Sequence, residues 1–341
     1  MVEIFAVTNR GLEALSASEL QRLAGVQATE VAYRRVLAGY RGHPSGLLRL
    51  RTVDDVFIHL ATWEDVHHQR SVLARLTELS GELDLPPALN VIERVRPLDA
   101  APPFSVTANF VGRRNYSMDE IKHAVAAGIN ARYGWHYVDE DESQVNIRVF
   151  IEGETASVGV RLGAYALHRR QYKQDNLPGS LKPSVAAAML FSCGTAPGDQ
   201  LLDPFCGAGT ILVEASLSGI TACGGDYDPQ ALAAARANAA RAGADPGLGL
   251  WDARNLPLES ASVSRVVTNF PWGRQVEMDE AAGAFYTRAC MEIERVLAKD
   301  GRVAALTNLP QLLAFRHGEK VSQIEISLFG QLPTISIYQM R

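Results

Sequence analysis

Residues 198–229, GDQLLDPFCGAGTILVEASLSGITACGGDYDP, decide how the back half of this chain is read. An apolar run ends at the carboxylate of Asp203, a turn containing Gly207 and Gly209 follows, and Thr210 opens a helical pattern. Glycines are needed there because the backbone must turn sharply and approach a ligand without intervening Cβ atoms. A second apolar run ends at Asp226, where a carboxylate can accept hydrogen bonds from both hydroxyls of a ribose. This succession predicts a nucleoside-binding crossover within a parallel sheet.

Working outward, the apolar patterning predicts helices over residues 184–192, 210–218, 229–242 and 280–298. Strands are predicted over residues 200–204, 220–225, 248–251, 264–268 and 302–307. The alternation implies right-handed crossovers and a sheet covered on both faces. Two last runs, residues 321–329 and 334–340, are split by GQLP and predict an antiparallel hairpin at the edge. The expected fold class is α/β, with a Rossmann-like domain at the back.

The front half has an α+β texture. EIFAVT, GLEALSASELQRL and TEVAYRRVLAGYRG suggest strand, helix and strand; RTVDDVFIHLATW and EDVHHQRSVLARLTELSG continue as strand and helix. Further on come a strand, a helix and a strand pair, the helix start marked by a capping box of Ser117 and Glu120. The clearest breaks are the acidic loop DEDES and the linker QDNLPGSLKP.

The chain has 341 residues, 47% hydrophobic and 21% charged, with a net charge of −5. That length predicts more than one core, and that charge leaves any polyanion to local basic patches. One such patch is RLGAYALHRRQYKQDNLPGSLK, with Arg169, Arg170 and Lys173. No apolar run approaches the ~18 residues of a membrane span, and the start lacks the features of a secretory signal, so a cytoplasmic protein is expected. The four cysteines show no metal-ligand spacing, which predicts reduced thiols and no zinc site.

A dinucleotide site would place a third glycine where Leu212 stands, to seat a pyrophosphate on the helix N-terminus. Asp203 would repel a pyrophosphate but suits the cationic amino-acid tail of S-adenosylmethionine. Asp252, ending the next strand, is placed to bind the adenine amino group. Phe205, Thr210, Tyr227 and Ala253 flank these positions and complete the expected cofactor contacts.

After the fourth strand of this half comes Asn269-Phe270-Pro271-Trp272. Ligands of such sheets bind beyond the carboxyl ends of the strands. Asn269 offers a side-chain carbonyl, and a main-chain carbonyl beside Pro271 offers a second acceptor. Proline fixes the turn and restricts Phe270 to extended geometry. Trp272 offers a face on which a base can stack. Two acceptors converging on one donor describe the exocyclic amine of a nucleobase, methylated without a metal or a covalent nucleophile.

On these motifs the chain resembles the class I S-adenosylmethionine-dependent methyltransferases with an Asp/Asn-Pro-Pro-aromatic motif. More narrowly, it is similar to the THUMP-domain guanine-N2 RNA methyltransferases of the TrmN type. The resemblance extends through TNRGLEALSASELQRL, FVGRRNYSMDEIKHAVAAGI, ASVGVRLGAYALHRRQYK and LPGSLKPSVAAAML. It implies a ferredoxin-like domain over residues 1–60, a THUMP domain over 61–168, a linker over 169–183 and a methyltransferase domain over 184–341. It adds Lys182, Pro183 and Ser184 to the cofactor contacts. It also implies that the front half binds the end of a tRNA acceptor stem, with Arg113, Arg114, Lys122, His168, Arg169, Arg170 and Lys173 as RNA contacts. The implied activity is N2-methylation of guanine 6 in tRNA by a monomeric enzyme. Alternatives are guanine 10 of tRNA, a ribosomal guanine, another base amine, or an RNA-binding protein with a vestigial cofactor pocket. Phe270 departs from the broader motif, which has a proline there.

Overall fold

In the computed structural model, which describes residues 1–272 and 281–341, the chain divides into two compact units that do not follow chain order. One gathers Met1–Val7, Leu20–Leu50 and Asp54–Leu167, the other Thr8–Glu19, Arg51–Val53 and His168–Arg341. In chain order the helices are α1 (Glu13–Gln21), α2 (Val72–Gly81), α3 (Pro86–Glu93), α4 (Met118–Tyr133), α5 (Pro183–Cys193), α6 (Thr210–Leu217), α7 (Pro229–Ala242) and α8 (Ala282–Val296).

The first unit is built on a sheet of β1 (Val2–Val7), β2 (Val26–Ala32), β3 (Arg35–Tyr40), β4 (Asp55–Trp63), β5 (Phe104–Phe110), β6 (Val145–Glu152) and β7 (Thr155–Arg161). Its strand order is β2-β3-β1-β4-β7-β6-β5. Strand alternation buries Ile4, Ala6, Val56, Ile58, Val158 and Val160 on one face. On the other face Phe5 stacks on Phe57 at 5.2 Å, and Arg35 lies over Phe150 at 4.4 Å. Helix α4 packs on β5, and α2 packs on α4. The two helices meet at Gly128, where a Cβ would lie 2.2 Å from the Thr77 carbonyl oxygen. The expected capping box is present: Glu120 N donates to Ser117 Oγ, and Ser117 N donates to Glu120 Oε2.

Two departures from the sequence expectation occur here. TEVAYRRVLAGYRG forms two strands, β2 and β3, which pair with Ala32 opposite Arg35. The reversal places Arg34 at φ 56°, without the Asn or Gly that ordinarily announces such a turn. Helix α3, opening at Pro86, adds an element that the Pro- and Leu-rich stretch does not announce.

The second unit contains β8 (Gln200–Asp203), β9 (Thr221–Asp226), β10 (Gly247–Leu250), β11 (Val263–Asn269), β12 (Leu297–Thr307), β13 (Gly318–Glu325) and β14 (Thr334–Met340). The order is β10-β9-β8-β11-β12-β14-β13. Strands β8 to β12 run parallel, and β14 pairs antiparallel with both β12 and β13. The sheet is apolar on both faces. Val267, Leu201, Leu306 and Ile335 join Val185, Met189 and Leu212 in one core cluster. Val266, Leu202 and Ala305 join Tyr286, Cys290 and Ile293 in another. The expected final helix is shorter than its apolar pattern, because Leu297 already pairs with Val263 as the start of β12. The strand predicted over 321–329 ends at Glu325, since Ile326 N donates to the carbonyl of Pro333 and Leu328 bridges Gln331.

Residues far from this sheet in sequence complete the second unit. Leu12 is fully buried in its core, and Ser327 N donates to the Arg10 carbonyl. Gly11, at φ 96°, lies so close to β13 that a Cβ would sit 2.0 Å from the Glu325 carbonyl oxygen.

Candidate active site

A cavity of about 850 Å³ opens at the carboxyl ends of β8, β9 and β11, within the ~300–1,000 Å³ usual for ligand sites. Asp203, Phe205, Gly207, Thr210, Asp226, Tyr227, Asp252, Ala253, Asn269, Phe270, Pro271 and Trp272 all line it. The topology gathers the acids, since Asp203 and Asp226 end the parallel strands β8 and β9 and Asp252 follows β10 by two residues.

Asp203 is 1% exposed. Its Oδ1 accepts from Thr268 Oγ1 at 2.6 Å and from Phe205 N at 3.2 Å, while Oδ2 has no partner among the described residues. Burial pushes its carboxyl up to about 7. Asp226 Oδ2 accepts from Gly207 N at 2.9 Å, and its Oδ1 accepts from Asp228 N at 3.1 Å. Burial raises this carboxyl too. Gly207, at φ 50°, has open space where a Cβ would stand and lines the cavity. Gly209, at φ 76°, serves packing, since a Cβ there would lie 3.0 Å from that of Ala235.

Asp252 is held by its neighbour: Arg254 Nη2 donates to Oδ2 at 2.8 Å and Nε donates to Oδ1 at 2.9 Å. Those hydrogen bonds keep its carboxyl below the usual range. Tyr227 is 64% exposed, and Ala253 is buried. Lys182, Pro183 and Ser184 open α5, where Lys182 Nζ reaches Asn9 Oδ1 at 3.4 Å. The wall itself comes from the residues just before them, Leu177 to Leu181, a contribution that LPG in the sequence could have signalled.

Asn269 ends β11 with its carboxamide fixed at both ends. Trp272 Nε1 donates to Oδ1 at 3.1 Å, and Nδ2 donates to the Gly179 carbonyl at 3.4 Å. Trp272 is therefore not the open stacking platform expected of it. It is 8% exposed and packed in the core cluster with Cys206 and Ile211, because its indole N–H is drawn to Asn269. Phe270 is fully buried, stacked on Tyr286 at 4.9 Å. Its amide donates to the Leu306 carbonyl at 2.9 Å, a hydrogen bond that proline could not make. Tyr286 Oη then donates to the Pro271 carbonyl at 3.0 Å, so an aromatic ring and a hydroxyl fix this turn in place of a second proline. Cys206 is buried, and burial raises its thiol, leaving it no nucleophile.

The basic residues expected to meet RNA are placed differently from one another. Arg113 and Arg169 are exposed, and His168 is half-buried. Lys122 Nζ donates to Asp119 at 2.8 Å on the surface of α4. Arg114 faces inward, donating to the carbonyls of Val66, His67 and Gly153 and to Tyr116 Oη. Arg170 is also drawn in, with Nε 3.3 Å from Glu214 Oε1 and Nη2 3.2 Å from the Arg51 carbonyl oxygen. Glu214, fully buried on α6, carries no signal in the sequence that marks it out. It accepts from Arg51 Nε at 2.9 Å and Tyr172 Oη at 2.7 Å. Lys173 Nζ donates to Thr210 Oγ1 at 2.7 Å.

No cluster of metal-ligating side chains occurs among the described residues, and no described helix is long and apolar enough to cross a membrane. The polar set fits S-adenosylmethionine: a buried carboxylate for a cationic tail and an acid for a ribose, beside a glycine that places no Cβ in the cavity. Leu212, fully buried, occupies the place a pyrophosphate-binding glycine would take.

Comparison with known proteins agrees. A THUMP domain family model matches residues 92–161, and the family model "RMKL-like, methyltransferase domain" matches residues 170–333. The tRNA (guanine(6)-N2)-methyltransferase of Thermus thermophilus is 32% identical over 345 residues, spanning 93% of this chain and 95% of that protein. Human tRNA (guanine(6)-N(2))-methyltransferase THUMP3 is 28% identical over 60% of this chain and 43% of its own length. The crystal structure of TrmN from Thermus thermophilus matches with a TM-score of 0.82 and 27% identity, over 100% of both chains. The chain thus belongs to the family of THUMP-domain, S-adenosylmethionine-dependent methyltransferases.

Proposed function

We propose that this enzyme methylates N2 of guanine in tRNA, at position 6 of the acceptor stem. The observation carrying this reading is the fixed carboxamide of Asn269, opening on the same cavity as Asp203, Gly207 and Asp226. Trp272 and Gly179 set its orientation. A carbonyl oxygen has two lone pairs, and the second on Asn269 receives one proton of the target amine. The main-chain carbonyl of Phe270, the residue that Pro271 follows, receives the other.

The amine lone pair is delocalised into the base; acceptors on both protons favour its pyramidal, nucleophilic form and aim the nitrogen. The cofactor supplies an electrophilic methyl group on a sulfonium. The bacterial and human relatives are both named for guanine 6, which supports the position.

The functional division follows residues 1–60, 61–168, 169–183 and 184–341, in a cytoplasmic monomer. The front part grips RNA phosphates through Arg113 and Lys122, the linker adds Arg169, and the cavity receives one base flipped from its stack. Purified protein, labelled S-adenosylmethionine and unmodified tRNA, followed by nucleoside analysis, test this reading. N2-methylguanosine at position 6 is expected. N6-methyladenosine, or cofactor binding without transfer to any RNA, overturns it, and label at another guanine relocates the substrate.

A further inference from the structure

Lys173 lies in the connector ahead of α5, its ammonium largely buried against the start of α6. Its hydrogen-bond partner is Thr210 Oγ1 at 2.7 Å, and among the described residues no carboxylate forms an ion pair with it. The nearby acid is Glu214, which already serves Arg51, Arg170 and Tyr172. A desolvated ammonium paired with a neutral hydroxyl is costly, more so at the positive end of a helix. Burial accordingly pushes Lys173 down to about 8. An anion bound against the Thr210 hydroxyl would offset that cost.

Thr210 meets that condition. It is the first residue of α6, follows the αL Gly209, and lines the cavity. An ammonium can only donate, so the Thr210 hydroxyl accepts from Lys173 and keeps its own proton to donate elsewhere. The cavity therefore carries a buried carboxylate at the tip of β8 and a hydroxyl backed by a cation at the start of α6. Those are the complements of an ammonium and a carboxylate, the two charges of an amino-acid tail.

We infer that Thr210 donates its hydroxyl to the carboxylate of the cofactor's amino-acid tail, and that Lys173 is the positioning residue that orients this hydroxyl and supplies the countercharge. The inference rests on the cofactor assignment and gives Lys173 a role apart from RNA contact.

Calorimetric titration with S-adenosylhomocysteine and with its decarboxylated analogue tests it. Wild-type protein binds the decarboxylated analogue about tenfold more weakly or worse. Lys173→Met and Thr210→Val each weaken S-adenosylhomocysteine about tenfold and leave the analogue unchanged. Thr210→Ser, which keeps the hydroxyl, stays within about twofold of wild type, and tRNA affinity of Lys173→Met is unaltered. Equal weakening of both ligands, equal affinity of wild type for both, or loss of tRNA affinity with ligand discrimination intact overturns the inference. If wild type binds neither ligand, the cofactor assignment itself falls.

Discussion

On the proposed reading, Asn269 and Asp203 serve two tasks in the cavity that can be measured apart. Asn269→Ala is predicted to lower methyl transfer by about 10²–10³-fold, the usual cost of a lost preorganised polar contact. Cofactor affinity, read by calorimetry, should stay within about twofold; a collapse would make Asn269 a cofactor ligand. Asp203 predicts a pH dependence. Its carboxyl titrates near 7 when folded against 3.8 ordinarily, so the folded protein keeps a proton that the unfolded chain has released. The free protein therefore loses stability as pH rises from about 4 to 7 and loses no more from this group above that. A cationic cofactor needs the ionised form, so its affinity should rise about tenfold per unit below pH 7 and then level off. A flat profile between about pH 5 and 7.5 would remove Asp203 from the site. The positions of both residues were legible in the sequence, because strand-end acids and the NFPW turn are local patterns. The indole N–H that orients Asn269 was not, because its direction depends on packing around Trp272.

At the scale of elements, the turn after β11 shows how a missing proline is replaced. Phe270 adds a backbone hydrogen bond to Leu306 and a stacked contact with Tyr286, and Tyr286 Oη also lies 2.6 Å from Thr307 Oγ1. Phe270→Ala should cost about 3–5 kcal/mol in urea unfolding, as for other buried aromatics. A cost under ~1 kcal/mol would mean that the ring does not hold the turn. Most elements of the second unit were legible because strands buried on both faces are continuous apolar runs, bounded here by glycine, proline and acids. The β2–β3 reversal was not, because neither Tyr33 nor Arg34 carries the usual signal of a two-residue turn.

At the scale of the molecule, Glu214 gathers chain segments that are remote in sequence. Arg51 and Arg170 both converge on it within the second unit. Removing one member of a buried charge cluster leaves the others unpaired, so Glu214→Gln should destabilise the protein by about 3–5 kcal/mol. Thermal unfolding unchanged from wild type would show the cluster to be dispensable. The RNA-facing reading predicts a different pattern for exposed residues. Arg113→Ala with Lys122→Ala should weaken tRNA binding and reduce its salt slope by about 0.7–0.9 per lost phosphate contact, leaving cofactor affinity intact. Binding unchanged at low salt would remove α4 and the connection before it from the RNA surface.

The sequence by itself determined the alternation of strands and helices, the acids at the strand ends, the glycine turn and the capped helix α4. Each rests on contacts between near neighbours in the chain. Only the tertiary structure decided which charges face inward. Arg114 and Arg170 looked like surface cations, yet both are consumed by carbonyls and a buried acid. Lys173 was turned onto Thr210 at the start of α6. A side chain's solvation is fixed by what packs around it, and in this chain those neighbours lie far away along the sequence.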